Sequence, residues 1–192
     1  MRNLPKLLTV GVCVVLTLGA RPQAPSTESF APSANQRFYL DLDTAEGAYS
    51  QWRQEDLKSL NALSATIRVP RLRKDNKWLP VFTIWLQDVG VGEQRHRIGV
   101  QLTAPNRKPP LEVRIIQVDK KELIGSEVLP IKIGLDEDLP VEMAWATPNS
   151  VTVKVGEQTR KINVAWAVES VALSASTGQM KVNPLILGKT RD

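Results

Sequence analysis

From residue 38 onward, apolar and polar side chains take turns along the chain, the period of two that marks extended strands with one buried face. Phe38, Leu40 and Leu42 alternate with Tyr39, Asp41 and Asp43. Ala65, Ile67 and Val69 form a second apolar face, closed by Pro70, and Ile98, Val100 and Leu102 alternate with Arg97, Gly99 and Gln101. Residues 79–87 are more continuously apolar, as in a strand covered on both sides, with Pro80 at the start, where a missing N–H costs least. Strands at 111–118 and 127–133 flank a predicted turn at 119–125. Val141, Met143 and Trp145 are predicted to pair with Val151, Val153 and Val155 across a turn at 147–150. A turn at Gly156 and Glu157 leads to Ile162 and Val164, and two last strands run through Val171, Leu173 and Ala175 and over 182–187. Residues 49–60 fit both periods poorly: a short helix carrying Trp52 and Leu57, or a strand over 49–53 and a turn. The second is preferred. About ten strands with almost no helix predict an all-β, antiparallel two-sheet sandwich.

The N-terminal part reads differently. Arg2 and Lys6 precede an apolar run over 7–18, followed by the small residues Gly19 and Ala20, the order of a secretory signal peptide over 1–20. The run is short of the roughly 20 residues that cross a bilayer, so no membrane span is expected after cleavage near Arg21 or Pro25. Cys13, preceded by Val12 rather than a small residue, does not suit a lipid-attachment box. As the only cysteine it leaves the mature chain without an internal disulfide, so core packing must supply stability. Residues 21–36, rich in Pro, Ser, Ala and Gln, read as a flexible leader, and 37–190 as one domain. The expected address is secreted or periplasmic, and the short cationic segment suits bacteria. Removing Arg2 and Lys6 lowers the formal charge of +5 by two, to +3, so basicity argues little for nucleic acid, and none is expected as a partner. The charge is uneven: net +6 over 64–108 and −4 over 109–145.

The final third resembles the concanavalin A-like lectin and glucanase superfamily. There, a strand ending in Trp precedes a hairpin whose second strand repeats apolar residues before a Gly turn: here Val141-Glu-Met-Ala-Trp145, then Ser150-Val-Thr-Val-Lys-Val-Gly156. Ser174-Ala-Ser-Thr-Gly178 stands before a closing strand that ends in Leu-Ile-Leu-Gly, as bacterial members often close. As a pattern the likeness spans 38–188; it implies a jelly-roll sandwich and carbohydrate as a ligand class, and fold alone does not fix function.

Asp41-Leu-Asp43-Thr-Ala-Glu46 is compared with the Glu-x-Asp-x-x-Glu of the superfamily's retaining glucanases, whose paired carboxyls lie roughly 5 to 5.5 Å apart. Asp41 stands where the nucleophilic Glu should be, and the run lies in the first strand, so a solvated strand face is the expectation; the same carboxylates are a weaker Ca²⁺ candidate. Asp136-Glu-Asp138 reads as a solvated turn. His96, the only histidine, sits between Arg95 and Arg97, whose charges would depress its pKa, and Gln94-Arg-His96 matches only the ends of the Gln-x-His signature of lyases on this fold. No Gly-x-Ser-x-Gly, Gly-rich phosphate loop or Cys/His metal spacing occurs, and neither catalysis nor a metal or cofactor is expected. The best ligand-binding candidate is the loop that carries Arg71, Arg73, Lys74, Lys77 and Trp78, where an indole can stack on a sugar while cations meet carboxylates or sulfates. Against it stands a surface loop whose Trp78 packs onto the sheet beside Pro80. Trp85, Trp145 and Trp166 are expected in the core, and Trp52 fits either place.

These readings converge on an exported, non-catalytic binding module for a glycan, an anionic polysaccharide or another surface polymer. A structural or envelope-protein interaction module, and a divergent glucanase or polysaccharide lyase, remain as alternatives.

Overall fold

The computed structural model of the chain describes residues 33–190 apart from 58, 76, 89, 91–94 and 147–149. The predicted signal peptide and most of the predicted leader lie outside the described residues, as does the tip of the 147–150 turn. Among the described residues there are ten strands, all paired antiparallel: β1 (Ser33–Glu55), β2 (Ala62–Leu72), β3 (Val81–Gln87), β4 (His96–Thr103), β5 (Leu111–Asp119), β6 (Glu122–Ile133), β7 (Leu139–Ala146), β8 (Ser150–Val155), β9 (Gln158–Asn163) and β10 (Ser170–Lys189). β1 begins inside the segment read as leader, and the 49–60 region is strand, continuous with β1 as far as Glu55.

Two long strands join the layers. The first half of β10 pairs with β3, from Ser170–Gln87 to Ser176–Val81, and its second half pairs with β2, from Gly178–Leu72 to Gly188–Ala62. β1 follows β10 along both halves, with a break in register between Thr44 and Tyr49. One layer is therefore β6-β5-β4-β3 closed by the first half of β10 and the second half of β1. The other is β9-β8-β7-β2 closed by their remaining halves. What reads in sequence as two final strands is one strand, bent where Thr177 takes a φ of 53°. Gly178 is required at the bend, because a Cβ there would lie 2.7 Å from the Phe82 ring and 2.8 Å from the Arg71 carbonyl.

Between the layers lies the apolar half of each alternation: Ile67, Phe82, Ile84, Ile98, Leu111, Met143, Val153 and Leu173 are all fully buried. Each such side chain is worth about 2 kcal/mol of transfer free energy. The expected hairpin holds in its predicted register, Val141–Val155, Met143–Val153 and Trp145–Val151, with Trp145 in the core. Trp52 is half-buried on the core and packs on Phe38 at 5.0 Å, and Trp166 also lies against the core.

Three expectations are corrected. β2 continues through Pro70 to Leu72: the proline lies beyond the last β2–β7 pair, Ile67–Leu139, and at a register shift against β10, where no ladder bond needs its N–H. The 119–125 turn is only Lys120 and Lys121, and β6 starts at Glu122; this edge segment exposes Leu123 and Ile124, so it lacks the alternation that burial imposes. Trp85 is buried, but on the opposite side of its sheet from the main core, in a small cluster with Ile116 and Ala172.

Candidate functional site

The predicted binding loop follows β2, and the structure divides its residues. Arg71 and Arg73 both turn to Asp43 on β1, donating from Nη2 to its two carboxylate oxygens at 2.5 and 2.6 Å. The backbone N–H of Arg73 is tied to the Thr177 carbonyl at 3.0 Å. Beyond it, Asp75 accepts from the backbone N–H groups of Trp78 and Lys77 at 2.6 and 2.7 Å, and these bonds, Trp78 first, hold its carboxyl below the usual value. The tight turn lifts Trp78 away from the sheet: its indole is 59% exposed, while neighbouring Pro80 is buried. Lys74 and Lys77 are exposed.

Trp78 forms one wall of a hollow of about 450 Å³, with Tyr49, 63% exposed, among its other lining residues. Lys77 reaches it; Ser174 and Ser176 of β10 and Val81 of β3 also line it. Ser176 Oγ donates to the Leu79 carbonyl at 3.0 Å. Two exposed aromatic rings beside hydroxyls and one ammonium make a site with both apolar and polar contacts for a ring such as a sugar. Lys77 and Trp78 are thus brought to one place, whereas Arg71, Arg73 and Lys74 do not line it. Tyr49, Ser174 and Ser176 were not anticipated, although serines at 170, 174 and 176, an even spacing in an otherwise apolar strand, were a readable sign that β10 has a polar face.

The hollow lies at one end of that face. Register places Tyr49, Ser176, Val81 and Thr103 in one row across β1, β10, β3 and β4; Gln51, Ser174, Thr83 and Gln101 in the next; then Arg53, Ala172, Trp85 and Gly99; then Glu55, Ser170, Gln87 and Arg97. Arg114 of β5 extends the second row and Ile116 the third. Trp85 lies at the centre, its Nε1 donating to Ser174 Oγ at 3.1 Å and the Arg97 guanidinium 5.2 Å from its ring centroid. Gly99 makes room for the indole, since a Cβ there would come within 2.7 Å of Trp85 Cε3 and 2.6 Å of the Ile84 carbonyl. Thr83, Gln87, Ser170 and Ser174 are buried polar residues on this side.

The remaining candidates lie elsewhere. Asp41 and Asp43 sit on the outer face of the other layer; Asp41 accepts from Gln179 at 2.7 Å with Lys181 at 3.9 Å, Asp43 holds the two arginines, and Glu46 follows where the register of β1 breaks. Each Asp already has cationic or amide partners within this face. Asp138 accepts from Arg68 at 2.8 Å, and this bond lowers its pKa; Glu137 accepts from the Gly134 N–H, so the acidic turn is held by the protein itself. His96 points away from its flanking arginines, because successive strand residues face opposite ways. The groups that meet it are carboxylates instead: Asp119 Oδ1 2.9 Å from Nδ1 and Asp88 Oδ2 3.8 Å from Nε2, with the Trp166 ring stacked at 6.3 Å. Gln94 lies outside the described residues. Among the described residues no group of three His, Cys, Asp or Glu side chains is placed to hold a metal ion.

No protein-family model and no curated protein matches the sequence. Solved structures do match the fold. An alginate lyase from Pseudomonas aeruginosa superposes with a TM-score of 0.55 at 13% identity, over 79% of this chain and 81% of that one. The potassium-bound carbohydrate recognition domain of Emp46p gives 0.54 at 10% identity, over 80% and 84%. Caenorhabditis elegans galectin LEC-6 gives 0.51 at 5% identity, over 77% and 95%. At such identities the likeness is one of backbone arrangement. The chain folds as a concanavalin A-like jelly-roll sandwich.

Proposed function

We propose that the protein is a non-catalytic glycan-binding module, exported from the cell, with its saccharide site in the hollow between Trp78 and Tyr49. The observation that carries this reading is the exposure of the Trp78 indole on the Asp75 turn, facing a second exposed aromatic and two serine hydroxyls. An exposed aromatic pair, one ring on β1 and one on a turn held by Asp75, presents flat apolar area, and the Ser176 hydroxyl beside it adds a polar contact. Lectins and a carbohydrate recognition domain share the fold, which supports the ligand class without naming a sugar. The test is a glycan array read with the parent protein, Trp78→Ala and Tyr49→Ala. Binding should fall about tenfold or more in each variant while the melting temperature stays put, since both side chains are exposed. Unchanged binding in both variants rejects the site.

A second reading, a protein-interaction module of the envelope, has one observation in its favour: edge strand β6 exposes Leu123 and Ile124, each by more than 60%. A stable partner lost on Ile124→Glu, with no response to glycans, would put it ahead.

A further inference from the structure

The polar face does not end at the hollow. At its far corner three guanidinium groups gather around Gln87 and Trp85. Arg53 donates from Nη2 to Ser170 Oγ at 3.1 Å, Arg95 bonds to the Gly90 carbonyl and reaches Gln87 Oε1 at 3.3 Å, and Arg97 lies over the Trp85 ring. Their compensation is incomplete. Arg97 meets no carboxylate among the described residues, and its Nε–H is buried without an acceptor. Arg53 Nε lies 3.1 Å from Glu55 Oε1, yet its N–H is not aligned for a hydrogen bond. Burial, and after it repulsion from Arg95, push the Arg53 pKa down, with Glu55 and Asp88 opposing. Cations crowded on a half-buried surface favour a bound anion, and the guanidinium fork suits a carboxylate. Among the described residues, Arg53, Arg95 and Arg97 outnumber by one the carboxylates Glu55 and Asp88 that act on Arg53.

Register also sets the length. On β4 the row of Tyr49 reaches Thr103, six residues from Arg97. At about 3.3 Å per residue and about 4.8 Å per strand, Arg53 lies about 13 Å from Tyr49 along β1 and Arg97 about 25 Å from it across the face. That is a polymer's distance.

We propose that this face binds an acidic polysaccharide lengthwise, a sugar ring resting against Trp78 and Tyr49 while a uronate carboxylate further along the chain pairs with Arg97, Arg95 and Arg53. The inference rests on the glycan-binding reading and adds to it the charge and length of the ligand. Between the ends, Gln51 and Gln101 offer amides to sugar oxygens.

The experiment titrates the full chain with oligogalacturonates of graded length and with the same oligomers after carboxyl reduction. The parent should bind the acidic series at least about tenfold tighter than the reduced one, weakening as salt is raised from about 0.05 to 0.5 M and strengthening until the oligomer spans both ends of the face. Arg97→Gln and Arg95→Gln should each lose about tenfold for acidic oligomers and nothing for reduced ones, while Arg68→Gln, which removes a cation from the opposite side of the sandwich, changes neither. Equal affinity for both series, or acidic binding indifferent to both substitutions, overturns the arginine site and leaves the saccharide reading standing. Tighter binding of heparin than of any oligogalacturonate also overturns it. Polyglutamate binding as tightly as the acidic sugar, sensitive to Arg97→Gln and blind to Trp78→Ala, overturns the saccharide reading and keeps the anion site. No binding to either oligomer series overturns both.

Discussion

The two outer faces of the sandwich use their charged residues in different ways. On the layer that carries the second half of β10, charges are matched locally: Asp43 with Arg71 and Arg73, Asp41 with Gln179 and Lys181, Arg68 with Asp138, Glu142 near Lys154 at 3.7 Å. On the layer that carries its first half, Glu112 is matched by Arg114 and Lys132, but the centre is an indole flanked by hydroxyls and amides, and Arg97 at the corner has no carboxylate among the described residues. Matched charges on a wet surface contribute little to stability and ask for nothing from outside. Unmatched, half-buried ones are tolerated when a ligand completes them. The contrast separates a face whose charges are paired from the one on which binding is proposed, where total charge would not.

The largest break in this contrast should come from Trp85→Ala. Removing the buried indole takes away the contacts with Ile116 and Ala172, the bond to Ser174 and the seat of Arg97, and should cost about 3 kcal/mol in chemical denaturation together with binding of acidic oligomers. A loss below about 1 kcal/mol would mean that the ring is not packed as described. Asp43→Asn asks whether the paired face can be turned into the other kind. It frees two arginines and should lower stability by about 1 kcal/mol, yet gain less than about twofold for oligogalacturonate, because Arg71 and Arg73 do not line the hollow of Trp78 and Tyr49. A gain as large as the loss caused by Arg97→Gln would show that charge alone makes the site. The smallest effect concerns Asp138. Its folded-state pKa is depressed by Arg68, so its contribution is present above the ordinary carboxylate value and is lost as pH falls through the depressed one. Parent and Asp138→Asn should therefore differ in melting temperature near pH 6 and converge towards pH 2; a constant difference would place the effect elsewhere than in titration.

Much of the fold could be read from alternation because burial between two layers imposes it: the 141–155 hairpin, the doubly covered strand around Ile84, and the faces of β2, β4 and β5 all follow. The failures occur where burial does not act on alternate residues. The first turn of β6 is an edge open to water, β10 changes neighbours at Thr177 without leaving the extended state, and the serines that mark its outer side looked like a terminator between strands. Of the loop residues picked from their charges and indole, Lys77 and Trp78 line the hollow because they are neighbours in one turn. The site was not legible at Tyr49, Arg53, Arg95 or Arg97, which β10 and β3 bring together from distant parts of the chain. Nor could spacing reveal that Arg71 and Arg73 have Asp43 as a partner 28 and 30 residues away.

The strand that serves both layers also dictates when the molecule can close. Until Ser170–Lys189 has been synthesised, β3 and β2 each present an open hydrogen-bonding margin and β1 has nothing to lie against. Until that strand emerges the nascent chain carries two bare seams, a span in which sticking to a neighbour competes with the final zip.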